Sequence, residues 1–188
     1  MISYKGKELG EGIQDSNNGE RKDVSWKPPN AEFFKINVDA SFVKAITAAS
    51  VGVVVRNHIG EVIISSWDYI GACYSAEEAE IRATISGLYI GITLHQPIIL
   101  ETDCSFVAGV LENYRFDRSP LVDLKKEAFS ISKMLPNVKI SKISRKANKV
   151  AHEIAKFSFN NRSDGVLISS VPACVADAVM NDCMNILN

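Results

Sequence analysis

The feature that most constrains the fold of this chain is a change in hydrophobic period at Ser75. Before that residue, apolar and polar side chains alternate, as they do in strands with one buried face. Phe34, Ile36 and Val38, for example, share one face of the first such segment. The three alternating segments are EFFKINVDASF, AASVGVVVRN and EVIISSW, with the turn sequence NHIG between the last two. Three strands with such short connections predict an antiparallel meander.

From Ser75 onward, helical and strand patterns alternate. Residues 75–94 open with a capping box of Ser75 and Glu78 and continue with helical periodicity. PIILETD is a short, continuously apolar segment, typical of a strand buried on both faces of a sheet. The other predicted elements are helices in CSFVAGVLENY, in 120–134, in NKVAHEIAKF and from Pro172, and a fifth strand in NVKISKIS. The order β-β-β-α-β-α-(α)-β-α predicts an α/β fold on a mixed sheet.

The distribution of polar residues predicts where the folded domain begins and ends. Residues 1–30 are rich in Lys, Glu, Gly, Asn and Asp, and they end at the proline-containing sequence WKPPN. We interpret them as a flexible leader. The domain itself is predicted to span residues 31–162. Residues 163–188 are interpreted as a C-terminal tail that carries an amphipathic helix.

Composition excludes several classes of protein. The net charge of −1 over 188 residues excludes a strongly basic, histone-like binder, although a local basic patch remains compatible with it. The four cysteines form no CxxC pair, and the N-terminus does not resemble a signal peptide. No apolar run approaches the ~20 residues of a membrane span. We therefore expect a soluble, monomeric, intracellular protein without a membrane partner, in either the nucleus or the cytoplasm.

Three acidic residues, far apart in sequence, occupy positions where their carboxylates are candidates for a catalytic or metal-binding role. Asp39 lies within the first strand, Glu80 in the first helix, and Asp103 at the end of the buried strand. Each has a simpler interpretation: a solvated residue on a polar sheet face, an edge position of the helix, and an N-cap. The face of Glu80, however, otherwise carries only small residues, which let a helix lie close to a sheet.

Taken together, the three acids favour a metal site. A central strand, a helix packed on it and the end of the neighbouring strand can bring the carboxylates of Asp39, Glu80 and Asp103 to one point. Such a cluster repels itself unless a cation lies among its oxygens. Mg²⁺ prefers hard oxygen ligands, and two such ions can support phosphodiester cleavage. The pattern therefore predicts a nuclease.

The motifs in order resemble type 1 ribonuclease H, and most of all its retroelement-derived, reverse-transcriptase-like plant branch. The resemblance covers roughly residues 26–182. WKPP before the first strand and VPACVADAVMND after the last core helix are similar to that branch as well. The segments that carry the resemblance are KINVDASF, GVVVRNHIG, AEEAEIRATISGL, ILETDCSFV and RKANKVAHEIAKF.

The resemblance implies a five-stranded mixed sheet, with three antiparallel strands followed by parallel strands and helices on both faces. It implies an enzyme that cleaves the RNA strand of RNA/DNA hybrids with two Mg²⁺ ions, or with Mn²⁺. Asp39, Glu80 and Asp103 match three of the family's four metal-binding, catalytic positions. The fourth position falls on His152. The family pattern has Asp at this position, and His is also known there in the plant-type branch.

His152 leaves two functions open, and a third interpretation has less support. The first is a metal-dependent hybrid endonuclease. The second is a nucleic-acid-binding module that has lost efficient cleavage because His152 replaces an acid. The third is a protein-interaction domain that uses the C-terminal helix. In the same segment, Asn148 precedes the helix of His152 and is predicted to cap it.

A basic run leads into the His152 helix. It consists of Lys139, Lys142, Arg145, Lys146 and Lys149. Each alone is compatible with a solvated surface, but together, beside an acidic site, they could neutralise phosphates. We predict nucleic-acid contacts from Arg145, Lys146 and Lys149. Asn37 and Ser105 are added as candidate contacts to sugar or phosphate oxygens.

Overall fold

The computed structural model describes residues 25–112 and 118–184. Most of the predicted leader, residues 1–24, lies outside the described residues. The strands are β1 (Phe34–Val43), β2 (Ala48–Arg56), β3 (Val62–Ile70), β4 (Ile98–Thr102), β5 (Val138–Lys142) and β6 (Gly165–Ile168). The helices are α1 (Ala76–Leu94), α2 (Ser105–Glu112), α3 (Val122–Met134), α4 (Lys149–Asn161) and α5 (Ala176–Met184). In this described part, none of the helices combines the length and apolarity needed to cross a membrane.

The strands form one mixed sheet in the order β5-β4-β1-β2-β3-β6. The meander β1–β2–β3 is antiparallel, whereas β4 pairs in parallel with both β1 and β5. This confirms the predicted fold class, but the sheet has six strands rather than five. The additional strand, β6, pairs antiparallel with β3 from Gly165 to Ile168. It is only four residues long, too short for its alternation of half-buried and exposed residues to stand out in the sequence.

Helices cover both faces of the sheet, as the resemblance implied. On one face, α1 lies close to β1 because its glycines leave room: a Cβ at Gly87 would come within 2.5 Å of Val38 Cγ1. On the other face, α4 lies against β2, where a Cβ at Gly52 would stand 2.5 Å from the Ala151 carbonyl oxygen. The small-residue stripe of α1 thus brings the helix of Glu80 close to the central strand.

Two segments that the sequence analysis placed outside the domain pack on this sheet. Trp26, assigned to the leader, is only 1% exposed. In the predicted tail, β6 extends the sheet, and Ala178 of α5 joins a core cluster with Val54 and Ile154. The helix predicted from Pro172 is present as α5, preceded by a short 3-10 turn at Ala173–Val175. The apolar contacts of both segments are with distant parts of the chain, so local composition did not reveal them.

Candidate active site

The site is located where two parallel strands stop pairing. β1 and β4 are paired from Phe34 and Ile98 as far as Asn37 and Glu101. Asp39 and Asp103 each stand two residues beyond the last pair, so they follow equivalent positions on neighbouring strands. The carboxyl ends of parallel strands are where α/β sheets place their ligands. The fold therefore brings these two acids to the same edge.

Glu80 reaches the same region from α1, and its carboxyl group is largely buried there. Its carboxyl oxygen Oε2 is buried and has no hydrogen-bond partner. Burial raises the pKa of Glu80 to about 8, with the negative charges of Asp39 and Asp103 adding to the effect and Arg145 opposing it. Asp39, Glu80 and Asp103 are hereafter called the acidic cluster. The three acids therefore lie near one another, whereas their sharing of a metal ion stays a prediction.

His152 of α4 contacts the acidic cluster directly. Its ring Nδ1 lies 2.7 Å from Oδ2 of Asp39, whose side chain is almost fully buried. Burial raises the pKa of Asp39; the hydrogen bond from His152 acts against that rise, and the charge of Asp103 adds to it. The residue in the family's fourth acidic position therefore touches the first acid as a hydrogen-bonding partner.

Asn148 is a site residue that the sequence analysis missed. It precedes α4, as expected, but its side chain makes no capping hydrogen bond. Instead, Nδ2 donates to the Val38 carbonyl oxygen at 2.9 Å and to Asp103 Oδ1 at 3.1 Å. The capping prediction was wrong because these bonds orient the amide so that its oxygen, the atom that would cap the helix, faces Asn37 Nδ2 instead. Its place at the head of the RKANKVAHEIAKF motif was the one signal that could have identified it.

The residues suit a divalent cation in chemistry, although they are not arranged around one. Within residues 25–112 and 118–184, no three His, Cys, Asp or Glu side chains stand in a metal-chelating geometry. Asp39 Oδ2 is bonded to His152 and Asp103 Oδ1 to Asn148, so both oxygens face protein donors. The carboxylate oxygens nevertheless repel one another, and Glu80 Oε2 has no partner. Hard oxygen ligands of this kind are the ones that Mg²⁺ and Mn²⁺ bind. The donor set therefore fits the predicted ions.

Beside the acidic cluster there is room for part of a ligand. Glu80 and Asp103 line a cleft of about 250 Å³. Its other walls are formed by Ala76, Glu77, Cys104 and Phe106. The cleft is open to solvent, so a bulky substrate group can approach the carboxylates through it.

The predicted nucleic-acid contacts divide into exposed residues and one that is inaccessible. Arg145, Lys146, Lys149 and Ser105 are exposed, and the charge of Arg145 reaches Glu80. Asn37, by contrast, is fully buried. Its amide is bonded to protein groups at both ends, so the expectation that it meets sugar or phosphate oxygens is wrong.

Next to Asn37 lies a second polar cluster, which sequence reasoning did not detect. Two ion pairs compose it: Arg56 Nη1 with Asp182 Oδ2 at 2.7 Å, and Lys35 Nζ with Glu101 Oε1 at 2.6 Å. These four residues are hereafter called the ion-pair cluster. The Trp26 ring covers it: the Arg56 guanidinium lies 3.4 Å from the ring centroid, and the indole N–H donates to Glu101 Oε2 at 3.1 Å.

Comparisons with known proteins agree with this geometry. Residues 37–158 match the family described as reverse transcriptase-like. An Arabidopsis thaliana protein, provisionally named ribonuclease H protein At1g65750, is 28% identical over 138 residues, which make up 73% of this chain and 22% of that protein. The chain thus spans about a fifth of the length of this relative.

Solved structures show the same fold. Ribonuclease H1 from the archaeon Halobacterium salinarum superposes with a TM-score of 0.63 at 21% identity, over 69% of this chain and 98% of the other. LC11-RNase H1, isolated from compost and solved in complex with an RNA/DNA hybrid, superposes with a TM-score of 0.61 at 20% identity, over 69% and 98%. With the family match extending over most of the described domain, the chain belongs to the reverse transcriptase-like family of ribonuclease H-like domains.

Proposed function

We propose that this chain is a metal-dependent endonuclease that cleaves the RNA strand of RNA/DNA hybrids. The observation that carries the proposal is the acidic cluster, in which three separate elements converge and leave Glu80 Oε2 buried without a partner. Buried like charges destabilise a fold, so their presence favours a cationic ligand. The hybrid bound to LC11-RNase H1 and the name of the Arabidopsis relative support this choice of substrate.

In this proposal Asp39, Glu80 and Asp103 would hold the divalent ions, and Mg²⁺ or Mn²⁺ bound there would supply an activated water and stabilise the leaving oxygen. Burial and the charges of Asp39 and Asp103 raise the pKa of Glu80, and a cation held there would lower it and favour the ionised carboxylate. Asn148 restricts the rotation of Asp103, and His152 restricts that of Asp39. Such partners orient ligand carboxylates.

The exposed basic residues provide the surface for the hybrid. Arg145, Lys146 and Lys149 surround the start of α4, whose residue His152 touches the acidic cluster. Their positive charges neutralise phosphates, and Ser105 adds a hydroxyl at the start of α2. Binding through this surface depends steeply on salt, since each neutralised phosphate releases counterions.

A labelled-hybrid cleavage assay tests the proposal. The RNA strand of an RNA/DNA hybrid should be cut in Mg²⁺ or Mn²⁺ and left intact when a chelator is present. Duplex RNA and duplex DNA of the same sequence serve as matched substrates and should remain uncut. Cleavage that persists in chelator, or that is equal on duplex RNA, would contradict a metal-dependent hybrid nuclease.

A second function is a hybrid-binding module that has weak or no cleavage. The observation that favours it is the His152–Asp39 contact at 2.7 Å, which uses a carboxylate oxygen that a metal would otherwise bind. An electrophoretic mobility assay distinguishes the two functions. Specific binding of the hybrid without product in either metal supports the module, whereas product formation supports the enzyme.

A further inference from the structure

A line of hydrogen bonds connects helix α5 to the acidic cluster. Arg56 Nη1 donates to Asp182 Oδ2 of α5 at 2.7 Å, and Arg56 Nη2 donates to Asn37 Oδ1 at 3.0 Å. Asn37 Nδ2 donates to Asn148 Oδ1 at 3.4 Å, the longest link, and Asn148 Nδ2 donates to Asp103 Oδ1 at 3.1 Å. Residues 182 and 103, distant in sequence, are thereby joined through three side chains.

The ends of this line determine the direction of every bond in it. Arg56 has only donors, so the oxygen of Asn37 must face it, and the Asn37 amide nitrogen must face the other way. That nitrogen also donates to the Glu101 carboxylate at 2.9 Å, which accepts only. At the far end, Asn148 must turn its nitrogen toward Val38 O and Asp103. Neither amide can flip without facing donor to donor or acceptor to acceptor.

The line runs through the interior of the protein. Arg56, Asn37 and Asn148 are each at most 1% exposed, and Asp182 is 6% exposed. Hydrogen bonds between polar groups with so little access to water are strong, and losing one partner leaves the next group unsatisfied. If Asp182 of α5 is altered, the neighbouring side chain must therefore reorient, because water cannot reach it to replace the lost hydrogen bond.

We propose that Asp182 of α5 is a positioning residue for the acidic cluster, acting through Arg56, Asn37 and Asn148 on the carboxylate of Asp103. The expected effect on ion binding rests on the proposed function, in which Asp103 holds a divalent ion. It gives α5, which contributes no residue to the lining of the cleft, the role of holding the Asp103 carboxylate in place.

The first experiment compares Asp182→Asn with Asp177→Asn in the full chain. Both substitutions remove one carboxylate from α5, but Asp177 is exposed and stands outside the hydrogen-bonded line. Side-chain amide signals of Asn37 and Asn148 are recorded by NMR without metal. They should move in Asp182→Asn and stay at the parent positions in Asp177→Asn. Titration with Mn²⁺ alone should then show an affinity lower by about 3–10-fold in Asp182→Asn, as expected when support for a ligand is weakened.

A second variant separates positioning from stability. Asp182→Asn leaves the Arg56 charge buried with a weaker partner, which could prevent folding. The double substitution Arg56→Met with Asp182→Leu removes both charges, and replacing a buried pair by apolar residues is often neutral or stabilising. This variant buries no unpaired charge, although Asn37 Oδ1 loses its Arg56 donor. It should therefore still give a cooperative urea unfolding curve, yet show the displaced Asn148 signals and the weaker Mn²⁺ binding.

The outcomes distinguish this inference from the proposed function. Asn148 signals that stay at the parent position in both Asp182→Asn and the double variant would overturn the inference, whatever the ion affinity. Parent-like Mn²⁺ affinity in both variants would also overturn it. A parent protein that binds no Mn²⁺ would instead contradict the proposed function, and the metal-free Asn148 signals would still decide whether α5 positions Asp103.

Discussion

The acidic cluster and the ion-pair cluster are neighbours in the same interior, yet their charges are matched in opposite ways. In the ion-pair cluster, Lys35 and Arg56 face Glu101 and Asp182, so two positive charges balance two negative ones. In the acidic cluster, burial and neighbouring carboxylates raise the pKa of Asp39 and of Glu80, and Glu80 keeps a buried oxygen without a partner. The Asn37–Asn148 pair connects the two clusters, since Asn37 bonds to Glu101 and Asn148 to Asp103.

This difference indicates what each cluster is for. Buried charges that face opposite charges are balanced within the fold, even though Arg56 Nε has no hydrogen-bond partner, and removing one charge leaves the other buried and unpaired. Buried charges of one sign lack opposite charges in the fold, and a bound cation would compensate them. The ion-pair cluster is therefore expected to matter most for stability, and the acidic cluster for ion binding and catalysis. The predictions below test this division.

The largest expected effect is on catalysis. Asp39→Asn should reduce metal-dependent hybrid cleavage by at least about 10⁴-fold, more than about 5 kcal/mol of activation free energy, because a ligand charge is lost with little change in volume. The thermal unfolding midpoint should stay close to that of the parent. Asp68→Asn, at an exposed carboxylate of β3, is the control and should cleave normally. Parent-like cleavage by Asp39→Asn would assign the activity to another site.

The next effect is on stability and concerns the ion-pair cluster. Arg56→Met should lower the free energy of unfolding by about 3–5 kcal/mol, because Asp182 is left buried without its cation. Urea unfolding measures this loss. Arg82→Met removes the cation of a partly exposed pair with Glu78 on α1 and should cost at most about 1 kcal/mol. If both substitutions lower the free energy of unfolding by the same amount, the ion-pair cluster has no special structural role.

A smaller effect of opposite sign is expected for Glu80→Gln. Because the pKa of Glu80 is raised from 4.5 to about 8, the folded protein holds a proton that the unfolded chain releases between these pH values. Stability of the parent should therefore fall as pH rises through this window. Glu80→Gln lacks that titration and should be more stable by about 1–3 kcal/mol above pH 8, with no difference below pH 4.

The measurement is a series of urea unfolding curves across pH without metal. Glu77→Gln is the matched control, since Glu77 is an exposed neighbour in the first turn of the same helix. That control should lose a few tenths of a kcal/mol, because it removes a favourable charge at a helix N-terminus. If the free energies of unfolding of Glu80→Gln and of the parent changed with pH in the same way, Glu80 would carry no burial penalty.

The smallest expected effect concerns metal preference. A neutral imidazole suits first-row ions such as Mn²⁺ better than Mg²⁺. The parent should therefore cleave several-fold faster in Mn²⁺, and His152→Asp should narrow this ratio by about 3–10-fold, which is about 1 kcal/mol. Cleavage rates in each ion measure it, with His58→Asp, at an exposed turn, as the control. An unchanged ratio would mean that His152 influences the acidic cluster without touching the ion.

The alternation of strands and helices was accessible from the sequence because periodicity is a local property. Period-two alternation in residues 32–42 and a capping box at Ser75 placed β1 and α1, and the Ser75 hydroxyl does accept the Glu78 N–H at 3.0 Å. The small residues of α1 predicted its close approach to the sheet, which Gly87 and Gly91 confirm. The expectation that Asp39, Glu80 and Asp103 lie near one another followed from these elements, and the charge interactions between them agree with it.

Other features depended on groups that meet only after folding. Arg56 and Asp182 are 126 residues apart, and no local pattern marks either one as a buried partner of the other. Asn37 and Asn148 were assigned to nucleic-acid contact and to helix capping, since an amide offers both donors and an acceptor and its environment selects its partners. Trp26 and β6 were placed outside the domain because short or polar segments join a core only through distant contacts. Local periodicity thus specified the elements and the three acids, whereas burial and pairing across the sheet determined which polar groups hold those acids in place.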